Sequence, residues 1–371
     1  MIKRERLMKV FLELIKTDSE TGQEKKISNL LKHKFSDLGL RVEEDQAGKI
    51  TGHQSGNLIC TLPGTAEGTS IFFGCHMDTV VPGKKIHPTI KDGYVVSDGT
   101  TILGADDKAG LAALIEALYV IREKDIPHAQ LQVIVTAGEE SGLLGAKALD
   151  TRLIRSEYGF ELDSSGPVGD IIVAAPFQTK FQVGLFGKQA HAGVAPEKGL
   201  SAITMAAKAI SKMPLGRIDP DTTANIGRFE GGTSTNIVCD YVQILAEARS
   251  LVKVKLDEQV KKMGEAFQKT AEYMGGRADV QSNFMYPGYH FDAEDDLVRL
   301  AQRAIISIDK KPRLKKSGGG SDANVLNGKG IQTVNLAVGY EHIHTTRERM
   351  SVSELENTSR LVLALIKEAV H

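Results

Sequence analysis

Short apolar runs that stop at an acid or a histidine recur along this chain, and they restrict it to one kind of fold. The runs at 70–75 and 131–136 are apolar almost throughout instead of alternating, as strands buried on both faces are. Further strands are predicted at 57–62, 158–162 and 170–174, with helices interleaved, notably over 108–124. That alternation gives an α/β fold, with a helix-covered, mixed but mostly parallel sheet. In such a sheet ligands bind outside the carboxyl ends of the strands. His76 and Asp78, Glu139 and Glu140, and Asp163 all follow predicted strands; His342 and His344 follow another at 333–338.

Two helices open the chain. Leu7, Val10, Phe11, Leu14 and Ile15 recur at helical spacing, and Thr21 with Glu24 has capping-box spacing ahead of a second helix that stops at Gly39. The pattern changes near Pro176. Alternation over 180–186, a helix over 200–213, strands at 224–229 and 237–249, a helix over 257–274 and a strand at 276–283 make β-α-β-β-α-β, an α+β ferredoxin-like unit. After Tyr286-Pro287-Gly288 the α/β pattern resumes, with helices over 295–308 and 352–370. The expected division is a main domain of 1–176 plus 289–371, with 177–288 inserted.

Charge narrows the partners. A net charge of -1, with both signs dispersed, leaves no basic stripe for nucleic acid and no polybasic membrane patch. No apolar run approaches the ~20 residues of a membrane span. The segment from Met1 to Arg6 reads as the start of a charged amphipathic helix, not a signal peptide. Cys60, Cys75 and Cys239 lack the spacing of a structural zinc site and read as buried thiols of a reducing compartment, so a cytoplasmic location is expected.

The residues at the run ends suit metal chemistry, since imidazole and carboxylate are ligands for zinc. His76 and Asp78 in Gly74-Cys75-His76-Met77-Asp78-Thr79 share a face if the strand persists that far, so His76 can ligate while Asp78 orients its other ring nitrogen. Asp106 and Asp107 precede a helix. Capping explains one of them, and a carboxylate bridging two divalent ions would explain why a second is tolerated beside it. In Glu139-Glu140 adjacent side chains cannot both reach one atom, so one is suited to hold metal and the other to handle a water proton. A solvated acidic turn is the plain alternative for that pair, and turn chemistry for Asp163 before Ser164-Ser165-Gly166-Pro167.

With these motifs in this order, the chain resembles the co-catalytic metallopeptidases that include peptidase T, carboxypeptidase G, aminoacylase and succinyl-diaminopimelate desuccinylase. The likeness is closest to peptidase T-like members, through Leu103-Gly104-Ala105-Asp106-Asp107-Lys108-Ala109-Gly110. The resemblance implies two Zn2+ per chain, with Mn2+ or Co2+ as substitutes. His76, Asp106 and Asp163 would hold one ion, and Asp106, Glu140 and His344 the other. Asp78 would orient His76, Glu139 would be the general base, and the peptide bond after Asp106 would be cis. The inserted segment would be a lid through which such proteins form homodimers. Within it, Gly187-Lys188-Gln189-Ala190-His191-Ala192-Gly193 matches the lid-histidine motif, making His191 an oxyanion donor. Asn236 and Arg249 would meet the substrate, as would Gly319 and Gly320 of the glycine loop. The implied activity is hydrolysis of small peptides by a tripeptide-type aminopeptidase. A carboxypeptidase or N-acyl-amino-acid deacylase, or a catalytically silent peptide-binding protein, are the alternatives. The chain departs from peptidase T in having Lys316-Ser317 where an arginine precedes the glycine loop, Gly320 in place of threonine, and a shorter stretch between Asp78 and Asp106.

Overall fold

A computed structural model describes residues 1–370. The chain forms two compact units. The first comprises Met1–Ala174, His290–Ser317 and the chain from Ser321 onward, and the second comprises Ala175–Tyr289 with the tripeptide Gly318–Gly320. The glycines thus group with the inserted unit, although they lie some thirty residues beyond its exit in sequence.

In the first unit the sheet runs in the order Arg41–Glu44, Leu58–Leu62, Leu131–Thr136, Ile71–His76, Tyr158–Ser164, Thr333–Ala337 and Asp170–Ala175. Its centre is parallel. Ile71–His76 pairs in parallel with Leu131–Thr136 and with Tyr158–Ser164, which pairs in parallel with Thr333–Ala337. The outer pairings of Leu58–Leu62 are antiparallel, and so is that of Thr333–Ala337 with Asp170–Ala175. The sheet is therefore mixed, as the sequence pattern predicts. Every residue of Ile71–His76 and Leu131–Thr136 is buried, which explains their unbroken apolar character. Phe73, Cys75, Val133 and Val135 pack into the large core with Leu7, Phe11 and Leu14 of the helix Arg4–Lys16, and with Leu361 and Leu365 of Val352–Glu368. Phe72 and Ile134 point to the opposite face, onto Leu149 and Leu326. The helix Ala105–Lys124 is buried along most of its length. Its Glu116, fully buried, is answered by Arg6 through Nε at 2.6 Å and Nη2 at 2.9 Å.

The predicted capping box does not form. The second helix begins at Lys25 with Glu24 as its cap residue and no side-chain cap bond. Thr21 Oγ1 instead donates to Asp78 Oδ2 at 2.7 Å, and Glu24 Oε1 accepts the amide of Gly22 at 2.6 Å. A tertiary partner has taken the Thr21 side chain, and a local amide the Glu24 carboxylate. The stop at Gly39 holds: its φ of +90° is one that glycine adopts without penalty. A small sheet in the order Tyr340–Glu341, Arg349–Ser351, Tyr94–Val96 and Thr89–Lys91 was not legible, because strands of two or three residues carry no periodicity.

The second unit has a sheet in the order Gly216–Asp219, Thr222–Gly231, Tyr241–Ser250, Phe177–Phe186 and Arg277–Tyr286, antiparallel throughout. Without the short first strand this is the ferredoxin-like arrangement. Val183, Leu185, Val242 and Ile244 meet Met205 of the helix Ala202–Ile210 and Met263 and Phe267 of the helix Lys253–Tyr273 in a separate core.

Strand spacing in the first unit leaves no slack at Gly159. A Cβ there would lie 2.1 Å from Phe72 Cζ, on a fully buried ring. Gly159→Ala is expected to lower stability by about 1–3 kcal/mol through overpacking, read as a fall in the denaturant midpoint at constant slope.

Candidate metal centre

The parallel register decides where the functional side chains gather. His76 is in register with Thr136, and Gly74 with Glu161, so the strands carrying His76, the Glu139-Glu140 turn and Asp163 end on the same side of the sheet. There the Asp106 carboxylate lies between two imidazoles, with Oδ1 2.9 Å from His76 Nε2 and Oδ2 3.3 Å from His344 Nε2. Asp163 Oδ1 is 3.7 Å from the same nitrogen of His76, and Glu140 Oε1 is 2.9 Å from that of His344. His76, Asp106 and Glu140 present ligand atoms that all lie within 4.8 Å of one another. Five of the predicted residues thus meet in one place, in two groups that share Asp106.

The aspartate pair divides its work. The helix Ala105–Lys124 is non-helical at Asp106 and Asp107, and the peptide bond between them is cis. Asp107 turns away from the imidazoles. Its Oδ1 accepts the amide of Gly110 at 3.2 Å, as a helix cap does, and its Oδ2 accepts the amide of His76 at 3.3 Å.

Asp78 differs from the sequence expectation. The strand ends at His76, so the two residues do not share a strand face. His76 Nδ1 lies 2.9 Å from the carbonyl oxygen of Asp78 and 3.6 Å from its carboxylate. The hydrogen bond that places the proton on Nδ1, leaving Nε2 with its lone pair, is therefore to the backbone. The carboxylate instead accepts the amides of Glu139 at 3.0 Å and Glu140 at 3.3 Å.

Several supporting residues gave no signal in the sequence. Tyr340 Oη donates to Asp163 Oδ1 at 2.8 Å. Asn335 brackets the Asp163 backbone, accepting its amide at 3.0 Å and donating to its carbonyl at 2.6 Å. Buried Glu348 accepts the amides of Leu103, Gly104 and Asp106 at 2.8, 2.7 and 3.0 Å, and so fixes the loop that presents Asp106. His342 and His344 are both exposed, but only His344 reaches the carboxylates, those of Asp106 and Glu140.

The electrostatics describe a site in want of positive charge. Burial disfavours a charged His76, yet the nearby carboxylates, Asp106 first and then Asp78, outweigh it and hold the imidazole well above its ordinary pKa. His344 is raised to about 10 by Asp106 and Glu140. Burial, and then the Asp106 charge, push Asp163 well above the carboxylate range. Burial likewise raises Glu139, with Asp163, Asp322 and Glu140 adding to it against a partial offset from His76. A divalent cation would replace those protons and satisfy imidazoles and carboxylates together. The spacing agrees: tetrahedral donors about 2.0–2.1 Å from a zinc ion stand roughly 3.3 Å apart, and the four contacts between imidazole nitrogen and carboxylate span 2.9 to 3.7 Å. The donors present fit a divalent cation.

The other predicted site residues belong to the second unit. His191 is exposed, and its Nδ1 accepts the amides of Gly193 at 3.2 Å and Val194 at 3.1 Å. A neutral ring held in this way carries its proton on Nε2, as a donor. Asn236, also exposed, accepts the amide of Ala192 through its carbonyl, which ties it to the same turn. Arg249 is already engaged. Its Nε and Nη2 meet the two oxygens of Glu247 at 2.9 and 3.2 Å, and Nη1 donates to the Gly318 carbonyl at 3.1 Å. Gly319 is exposed, and Gly320 lies against the Tyr286 ring, where a Cβ would approach within 2.4 Å.

Among the described residues no helix is long and apolar enough to cross a membrane. Comparison with known proteins sets this centre in context. An aminopeptidase PepT from Bacillus cereus ATCC 10987 is 62% identical, with a TM-score of 0.94 over 99% of both chains. A tripeptidase from Staphylococcus aureus subsp. aureus Mu50 is 48% identical, with a TM-score of 0.97 over 99% of this chain and 98% of that one. Peptidase T of Salmonella arizonae is 24% identical over 97% of this chain and 98% of its own. Residues 72–368 match the model of peptidase family M20/M25/M40, a span that includes all five clustered acids and histidines. This chain is a hydrolase of the M20/M25/M40 peptidase family.

Proposed function

We propose that this chain is a tripeptide-type aminopeptidase working with two divalent ions, zinc being the metal that its donors suit best. The observation that carries the reading is the Asp106 carboxylate, whose two oxygens face two different imidazoles. His76, Asp106 and Asp163 would hold one ion, and Asp106, Glu140 and His344 the other. Bound there, such a pair polarises the scissile carbonyl and brings the pKa of water to about 7. Aminopeptidase and tripeptidase activities are those of the relatives with closely matching structures.

The protein's own part is proton handling and orientation. Glu139, with a proton affinity raised by burial, takes a proton from the attacking water and returns it to the departing amine. His191 Nε2–H would donate to the oxyanion. Arg249 and Asn236 would meet the peptide's carboxylate and backbone beside Gly319 and Gly320. With Glu247 on one edge of its guanidinium, Arg249 keeps two N–H groups for a substrate. Three buried free cysteines accord with a reducing, cytoplasmic setting, and the inserted unit is the proposed homodimer contact.

Glu139→Gln should keep metal content and fold while kcat falls on the order of 10²–10⁴-fold; turnover near wild type would remove Glu139 from the mechanism. Asp106→Ala should lose both ions, measured by elemental analysis of purified protein, and retention of one ion at full occupancy would refute the bridge. A free tripeptide should release its N-terminal residue, and N-acetylation should abolish cleavage. Release of the C-terminal residue, or hydrolysis of N-acyl amino acids, would reassign the enzyme to the carboxypeptidases or deacylases.

A further inference from the structure

Glu139 sits on a turn outside any helix or strand, so something must fix where its carboxylate stands. One grip is Asp78, whose carboxylate takes the amides of Glu139 and Glu140 and is itself steadied by the Thr21 hydroxyl. A second comes from a residue that the metal centre does not use. Gly138, with φ +71°, has the ring of His53 where a side chain would be: a Cβ on Gly138 would lie 1.8 Å from His53 Cε1 and 2.3 Å from Nδ1. Behind that ring stands Glu24, fully buried, with Oε1 3.3 Å from His53 Nδ1. Neither the other oxygen of Glu24 nor His53 Nδ1 has a hydrogen-bond partner, so the approach of Glu24 to the ring is a charge contact and not a hydrogen bond. Burying a carboxylate with one oxygen unsatisfied is costly. What the carboxylate gains is its approach to an imidazole that fills the space against Gly138. The same segment, 21–24, supplies Thr21 to one grip and Glu24 to the other.

We infer that His53, braced by Glu24, is a positioning residue that holds the Gly138 backbone and thereby sets the reach of Glu139. Glycine suits position 138 on two counts, its φ of +71° and the imidazole that occupies the place of a side chain. The inference rests on reading Glu139 as the proton-transferring group. The neighbours of the ring, Gly138 and Glu24, are not among the residues of the metal centre, so it acts through the turn.

A double-mutant cycle on metal-loaded full-length enzyme tests this, with wild type, His53→Ala, Glu139→Gln and the combined variant. His53→Ala should lower kcat about tenfold, a loss in keeping with a displacement of less than 1 Å, with KM and bound metal unchanged. In the Glu139→Gln background the same change should alter kcat by less than about twofold, because residues acting as one unit are not additive. An equal loss in both backgrounds, a kcat within twofold of wild type, or loss of metal from His53→Ala would each overturn the role of His53. Wild-type turnover in Glu139→Gln alone would instead overturn the assignment of Glu139, and the positioning role with it. If His53→Ala does not fold, His53→Gln runs the same cycle. Its amide fills part of the ring's space, and the expected loss is about threefold, again confined to the Glu139 background.

Discussion

Two imidazoles facing one carboxylate is the constraint from which the rest of the structure follows. Asp106 presents an oxygen to His76 and the other to His344, which lie 268 residues apart in the chain. Nothing local could hold that geometry. It depends on a buried parallel sheet that delivers His76 and Asp163 at neighbouring strand ends. It depends as well on a small sheet that fixes the loop between Tyr340–Glu341 and Arg349–Ser351. Unusual backbone geometry occurs here too, with a cis peptide after Asp106 and positive φ angles at His342 and His344.

The sequence exposed those parts whose signal is local. Ile71–His76 and Leu131–Thr136 could be read as doubly buried strands because all their residues face protein. The acids and histidines at the strand ends could be named because open sheets use those ends. Adjacent carboxylates were ambiguous in principle. Asp106 faces the imidazoles and Asp107 caps the helix, so each takes one of the two readings; residue chemistry left that choice open, and the family resemblance assigned it the same way.

What stayed hidden depends on partners distant in sequence. Thr21 and Glu24 have the spacing of a capping box, and the pattern misleads because the Thr21 hydroxyl goes to Asp78, 57 residues away, instead of to the helix end. Asp78 was legible as a companion of His76 but not as the acceptor for the Glu139 and Glu140 amides, since the turn that brings those amides begins some sixty residues later. Tyr340, Asn335 and Glu348 fit no motif. Each matters for what it touches through space, and single-sequence periodicity contains no such information.

Glu348 has a consequence for how the protein comes into being. Its carboxylate gathers three amides around Asp106 although it lies 242 residues further along the chain than that aspartate, and His344 lies only four residues before it. During synthesis the nascent polypeptide would display His76, Asp106, Glu140 and Asp163 long before either residue has left the ribosome. The loop would lack its anchor and the second imidazole would be missing. The loop and its second imidazole therefore come together only once residue 348 has emerged, and a product cut short before His344 would lack both.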